Sequence, residues 1–369
     1  MKGKKIKVLV VDDSAFMRKI IGDIIRSDSE LEFVGVARNG EDAIAKKEAL
    51  KPDVMTLDVE MPVLNGLETL KRIMKTGPLP IIMVSSHTRE GEETTLEALS
   101  TGAVDFVAKP SLLKGEGLSE LEAMLPQKIK AAARARLFDG SMLKRGPIGR
   151  DPIMEKVATA GIGRVDSYLR EEGTRHSGHP IVAIGASTGG PRALESILRG
   201  FPDDLPAAVM ITQHMPAGFT ESLARRLDRV SRIRVKEATG AENILPGWAY
   251  VAPGGYHLLV KAGQTMLSSA PPVQHVRPSA DVMMKSLAQY YGSNVIGVIL
   301  TGMGKDGAEG MEHIKKNGGR TIVQDPSTAV ISSMPQAAIN NGAADAIIPL
   351  DRIADGVVRL LYRVYGKGR

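Results

Sequence analysis

The sequence predicts an α/β protein made of two parallel-sheet units joined by a linker. Two observations carry that expectation. Short apolar runs of β character alternate with amphipathic stretches along both halves of the chain. Between them, from Asp139 to Gly178, the alternation decays into GSMLKRGPIGRDP and EEGTRHSGHP, rich in glycine, charge and turn residues. The 369 residues give chain enough for two domains of the usual ~100–200 residues. The expected boundaries are 1–138, a linker over 139–178, and 179–369.

In the first unit, strands are expected at Lys5–Val11, Phe33–Ala37, Val54–Leu57, Ile81–Val84 and Asp105–Ala108. Amphipathic stretches such as Phe16–Ile25 and Leu67–Met74 separate them, which reads as five βα units around a parallel sheet. A last helix is expected from about Leu118 to Phe138, with Pro126 as an irregularity. A short helical turn is expected inside the linker. From His179 onward the runs HPIVAIGAS, AAVMITQHM, RIRVKEA, GWAYVAP, HLLVKA, NVIGVILTG, RTIVQD and AIIPL predict a second, doubly wound and mostly parallel α/β unit. A hairpin excursion is expected near Trp248–Met266. No fixed-period repeat is present.

Composition narrows the function classes. Cysteine is absent from the sequence, which excludes disulfides, thiolate zinc sites and a cysteine nucleophile, and a cytoplasmic location is expected. The basic start MKGKKIKVLVVDDS has too short an apolar run for a signal peptide or membrane span, so no membrane insertion is expected. The net charge of +6 resides mainly in residues 179–369, which hold 20 Lys+Arg against 15 Asp+Glu. Its densest run is Arg225, Arg226, Arg229, Arg232, Arg234 and Lys236, with no interleaved aromatics to stack on bases. A solvated helix face followed by a strand is one reading and an acidic macromolecular partner the other; nucleic acid is not expected.

In an open parallel sheet, ligands bind beyond the carboxyl ends of the strands, where strand order reverses. Those ends carry Asp12 and Asp13, Asp58, Ser85 and Lys109. Any one aspartate there more often reads as a helix cap. Together they form an acidic pocket suited to magnesium, with Lys109 and Ser85 placed to hold the oxygens of a phosphoryl group on Asp58. With the motifs VVDDS, LDVEMPVLNG, MVSS and DFVAKP, residues 5–125 resemble the receiver domain of two-component response regulators. That resemblance implies a flavodoxin-like (βα)5 fold, with Asp58 as phosphoacceptor and Asp13 as the main metal carboxylate, Asp12 beside it. It also implies that Glu60 ligates through its backbone carbonyl, that Ser85 is the switch hydroxyl and Lys109 the phosphate-sensing lysine, and that Phe106 is the aromatic that reorients with them. His87, close in sequence to this pocket, is expected as a local polar contact.

In the second unit, Ile181–Ile184 runs into Gly185-Ala186-Ser187-Thr188-Gly189-Gly190-Pro191, a small-residue turn that would expose Ser187 at a helix N-terminus. Alone it also reads as a phosphate-binding turn, although the G-x-G-x-x-G spacing is missing. Two further strand ends add weight, one delivering His214 and the other Asp306. Serine, histidine and carboxylate on three strand ends of one sheet are what general-base activation of a hydroxyl requires. The order Ser187, His214, Asp306 differs from the α/β-hydrolase order, so that fold is rejected. His257, His275 and His313 have no comparable setting, and His176 and His179 show no metal-ligand spacing.

The segments IGASTGG, ITQHMP, YVAPGG, RPSAD and VILTGMGKDGAEGM resemble the catalytic domain of the chemotaxis protein-glutamate methylesterases, over roughly residues 179–366. One departure is that Val276, not histidine, precedes Arg277. The resemblance implies Ser187 as nucleophile, His214 as general base and acid, Asp306 as its orienting group, and the Met303 amide with Thr188 as oxyanion holders. It further implies hydrolysis of glutamate methyl esters on chemoreceptor helices, with methanol released, and deamidation of receptor glutamines by the same acyl chemistry. A chemotaxis histidine kinase would be the phosphodonor and Mg2+ would serve the receiver only. An unphosphorylated receiver would restrain the esterase. The alternatives are a receiver-controlled binding or DNA-binding regulator without catalysis; the latter needs a recognition helix that residues 179–369 do not display.

Overall fold

The computed structural model describes residues 4–86, 88–110, 117–137 and 178–364. His87, Phe138, His176 and the expected linker with its helical turn lie outside the described residues, except for Gly178. The described residues form two compact units.

The first unit runs β1 (Ile6–Val11), α1 (Ala15–Ser27), β2 (Leu31–Ala37), α2 (Gly40–Leu50), β3 (Val54–Asp58), α3 (Gly66–Thr76), β4 (Ile81–Ser85), α4 (Arg89–Thr101), β5 (Asp105–Ala108) and α5 (Leu118–Ala132). Its sheet order is β2-β1-β3-β4-β5, parallel throughout, as the alternation predicts. Strands β3 and β4 are buried along their whole length because helices cover both faces of such a sheet, hence their unbroken apolar runs. Four helices start on polar caps, Ser14, Asn39, Asn65 and Thr88, whose side chains accept a backbone N–H of the first turn. Strand order reverses between β1 and β3, which brings Asp12 and Asp58 to one crevice. Helix α5 ends earlier than expected. Its buried side chains Leu121, Leu125, Ile129 and Ala132 keep helical spacing and then run out, and Arg134 and Ala135 close the end with tight i→i−3 bonds. Pro126 sits inside the helix without ending it.

The second unit runs β6 (Ile181–Ala186), α6 (Gly190–Gly200), β7 (Ala208–Gln213), α7 (Phe219–Val230), β8 (Arg234–Glu237), β9 (Trp248–Val251), β10 (His257–Lys261), β11 (Gln264–Ser268), α8 (Ala280–Tyr291), β12 (Val295–Ile299), α9 (Ala308–Lys316), β13 (Arg320–Gln324), α10 (Ser333–Asn340), β14 (Ala346–Ile348) and α11 (Leu350–Val364). Seven strands form one parallel sheet in the order β14-β13-β12-β6-β7-β9-β8. The predicted hairpin exists, but it is β10–β11 alone. Trp248–Val251 belongs to the main sheet, between β7 and β8, with Ala249, Tyr250 and Val251 buried. The hairpin turns on Ala262 and Gly263, both at positive φ, the backbone that lets a two-residue loop follow the strand twist. Strand β6 is central: the order leaves it toward β7 on one side and toward β12 on the other.

Candidate functional site

In the first unit, one oxygen each of Asp12, Asp13 and Asp58 lies within 4.8 Å of the others. Asp12 and Asp58 are buried, and Asp13 is exposed. Lys109 extends from the end of β5 across β4, with Nζ 2.8 Å from Asp58 Oδ2 and 3.2 Å from Asp12 Oδ2. Burial and the Asp12 charge push Asp58 up to about 6, an effect that Lys109 offsets only in part. Burial likewise raises Asp12 against the pull of Lys109. For Lys109, burial disfavours the ammonium, but the hydrogen bond and charge of Asp58 prevail and hold its pKa above the ordinary value. Three carboxylates facing one ammonium are an oxygen-rich, electron-rich set that fits a small hard divalent cation.

The other sequence-predicted groups of this pocket are held differently. The Glu60 backbone N–H donates to Asp58 Oδ1 at 3.3 Å, so the loop after β3 folds back on the carboxylate, while the Glu60 side chain accepts from Ser86 Oγ at 3.2 Å. Ser85 is fully buried and its hydroxyl engages α4: it accepts from Thr95 Oγ1 at 2.7 Å and lies 3.2 Å from the Gly91 carbonyl oxygen. Phe106 is buried, with Lys128 Nζ 5.4 Å from its ring centre. Thr95 carries no motif signal, since a threonine on a helix face reads as ordinary until its strand partner is known.

In the second unit, Ser187 follows β6, His214 follows β7, and Asp306 lies beyond β12. Ala186 pairs with Gln213, and the His214 N–H donates to the Ala186 carbonyl at 3.1 Å, so Ser187 and His214 stand next in register on neighbouring strand ends. Buried Gln213 donates to the Ser187 carbonyl at 2.9 Å and fixes that strand end. Its amide oxygen also requires a glycine opposite, because a Cβ on Gly190 would lie 1.9 Å from Oε1. His214 Nε2 lies 2.7 Å from Asp306 Oδ2. A carboxylate accepts, so Nε2 carries the proton and Nδ1 of the neutral ring keeps its lone pair. No hydrogen bond joins the Ser187 hydroxyl to His214 among the described residues.

Asp306 is anchored more extensively than the spacing suggests. Besides His214, it accepts from Ser279 Oγ at 2.7 Å, the Ala280 N–H at 2.6 Å and the Asp281 N–H at 3.1 Å, all from the cap and first turn of α8. Burial pushes its pKa up, but the His214 contact and these donors hold it below the usual carboxylate value. Behind Ser279 stands His257, whose Nδ1 accepts the Ser279 N–H at 3.2 Å while Nε2 donates to the Pro271 carbonyl at 3.1 Å. His257 therefore does have a setting near the site, contrary to the sequence reading. The RPSAD segment was the available signal for Ser279, although spacing alone gives it no role. His275 is exposed on a turn.

The loop after β12 crosses the serine closely. A Cβ on Gly302 would lie 2.7 Å from Ser187 Cβ and 2.2 Å from Met334 Sδ. Thr301 ties this loop down: its carbonyl accepts the Ser187 N–H at 3.0 Å, and its hydroxyl donates to the Thr188 carbonyl at 2.9 Å. Thr188 is buried and Met303 half-buried. Among the described residues, the Met303 amide makes no backbone hydrogen bond in this loop, unlike those of Ser187 and Gly302.

Comparison with known proteins matches both units. The family model for CheB methylesterase matches residues 182–357, and that for the response regulator receiver domain matches residues 8–117. A Pyrococcus horikoshii protein named protein-glutamate methylesterase/protein-glutamine glutaminase is 46% identical, covering 100% of this chain and 97% of its own. A Symbiobacterium thermophilum protein of the same name is 47% identical over 96% and 97%. The solved Thermotoga maritima CheB methylesterase catalytic domain is 42% identical, covering 50% of this chain and 99% of its own, with a TM-score of 0.48.

Proposed function

Because the chain belongs to the protein-glutamate methylesterase/protein-glutamine glutaminase family, with a receiver domain ahead of the esterase domain, we propose that Ser187, His214 and Asp306 hydrolyse glutamate methyl esters on chemoreceptor helices under control of Asp58. The observation that carries this reading is the 2.7 Å bond between His214 and Asp306, beside a serine one register step away on the neighbouring strand end. The receiver comprises residues 1–138, the segment 139–178 is the linker, and the esterase comprises 179–369.

Ser187 Oγ attacks the ester γ-carbonyl while its proton passes to His214 Nδ1. The tetrahedral oxyanion takes hydrogen bonds from the Met303 amide, with Thr188 beside it. His214 returns the proton to the departing methoxide, and methanol leaves. Water then attacks the acyl-serine, with His214 again taking a proton, and glutamate and free Ser187 result. Asp306 keeps the imidazole in the tautomer with Nδ1 free and stabilises the imidazolium. A glutamine side chain enters the same cycle with ammonia as leaving group. These steps draw on this chain's own side chains, the Met303 main-chain amide and water.

In the receiver, Asp12, Asp13, Asp58 and the Glu60 carbonyl are the residues that would hold Mg2+. When bound, that ion would neutralise charge on a phosphoryl group arriving from a chemotaxis histidine kinase. Lys109 then pairs with a phosphoryl oxygen, and Ser85 leaves Thr95 to reach another, with Phe106 following. No helix among the described residues is long and apolar enough to cross a membrane. We place the enzyme in the cytoplasm, acting on receptor helices there. A receiver-controlled binding or DNA-binding regulator without catalysis is not favoured by relatives bearing esterase names along their full length.

The test is methanol release from methylated receptor by the full chain. Release by the wild type and its loss in Ser187→Ala support the assignment; equal release by both would overturn it.

A further inference from the structure

Beneath the His214–Asp306 pair lies a second buried carboxylate that the cycle above does not use. Asp281 stands in the first turn of α8, and its N–H is one of the donors to Asp306. Its own carboxylate has one donor on each oxygen, the Gly310 N–H at 2.7 Å on Oδ1 and Gln274 Nε2 at 2.9 Å on Oδ2. Two donors on two oxygens suit the ionised form, because a protonated carboxyl keeps both contacts only if the Gln274 amide turns over.

Both donors come from segments shaped for the contact. A Cβ on Gly310 would lie 2.6 Å from Met284 Cβ and 3.2 Å from Asp281 Cα, so only glycine lets α9 approach α8 this closely. Gln274 sits with His275 on a tight turn closed by Val273 and Val276, and both turn residues have positive φ, 51° and 66°. Such backbone is sparsely populated by residues with side chains, and it concentrates at functional sites.

The charged groups facing Asp281 are Asp306 from the loop after β12, Lys285 one turn along α8, and Glu309 from α9, itself paired with Lys285 at 2.6 Å. Burial and the Asp306 charge push Asp281 up to about 6, and the Gly310 N–H and Lys285 offset this only in part. Asp306 is held low, so two neighbouring carboxyl groups are driven apart in acidity.

We propose that Asp281 is a positioning residue of the esterase, acting through Asp306: its ionised carboxylate adds negative charge that holds His214 in the protonated, Asp306-bound form the cycle passes through, and its protonation withdraws that support. This rests on the assignment of His214 and Asp306 to the hydrolysis. Negative charge carried behind Asp306 favours the protonated ring bound to it, so removing that charge must make the imidazolium harder to hold.

Asp281→Asn keeps size and, with the Gln274 amide turned over, both hydrogen bonds, so it isolates charge. In the full chain without phosphodonor, the His214 imidazole titration followed by NMR should move to lower pH. The acid limb of methanol release should move down equally, with lower kcat, unchanged KM and a thermal midpoint within a few degrees of wild type. Gln274→Met, which removes one donor from the carboxylate and favours its protonation, should move both readouts the same way by less. A His214 titration that stays put in both variants overturns the proposal, as does an acid limb that moves up. Should the wild type release no methanol, the esterase assignment falls, while the His214 titration still decides the charge coupling.

Discussion

Asp58, the proposed phosphoacceptor, works against the fold that carries it. Its pKa is about 6 when folded against an ordinary 3.8, so between those values the folded state holds a proton that the unfolded chain has released. Stability therefore declines as pH rises through that window, and the cost is fully present above it. Asp58→Asn should stabilise the receiver at pH 7 by roughly 1–3 kcal/mol and by nothing near pH 3, read as a shift in urea midpoint. A lower midpoint for that variant at pH 7 would contradict the electrostatic account. In the other unit, Asp306→Asn should cut kcat by about 10²–10⁴ by upsetting the His214 tautomer. Ser279→Ala removes one of four bonds to Asp306 and should cost roughly tenfold. The double variant should lose little beyond Asp306→Asn alone, because both act through one carboxylate; multiplying losses would show that Ser279 acts elsewhere.

Elements place these residues, and the loop after β12 is the most constrained of them. Gly302→Ala would push a methyl against Ser187 Cβ and Met334 Sδ. The methionine can move, but the Cβ of Ser187, fixed at the end of β6, cannot. Activity should drop by about 10²–10³, the usual effect of misplacing one oxyanion donor. Adding Met334→Ala should not restore it; restoration would mean that the Met334 contact alone mattered. The element scale also shows what a sequence can and cannot tell. Asp12, Asp58, Lys109, Ser187, His214 and Asp306 were legible because each follows a strongly apolar run, and ligands gather at strand ends. The membership of Trp248–Val251 in the main sheet was not, since an apolar run announces a strand but not its partner. Ser279, His257 and Asp281 were hidden for a related reason. They reach Asp306 through backbone donors and a helix cap brought from a different segment, and neither leaves a spacing in the chain.

At the scale of the whole molecule, two sheets each present chemistry at the reversal of strand order, one suited to a phosphoryl group and one to an acyl group. The account's central claim is that the first governs the second. A chelator should abolish the response to a small phosphodonor while sparing basal hydrolysis, because the proposed cation partners all lie in the receiver. Loss of basal hydrolysis in chelator would place a metal in the esterase chemistry. The most direct measurement is the rate of methanol release from one methylated receptor preparation by the full chain, with and without phosphodonor and Mg2+, for wild type and Asp58→Ala. The account predicts a rise with phosphodonor in the wild type and none in Asp58→Ala, whose rate stays at the unstimulated level. A phosphodonor response that survives in Asp58→Ala, or is absent from the wild type, would contradict it.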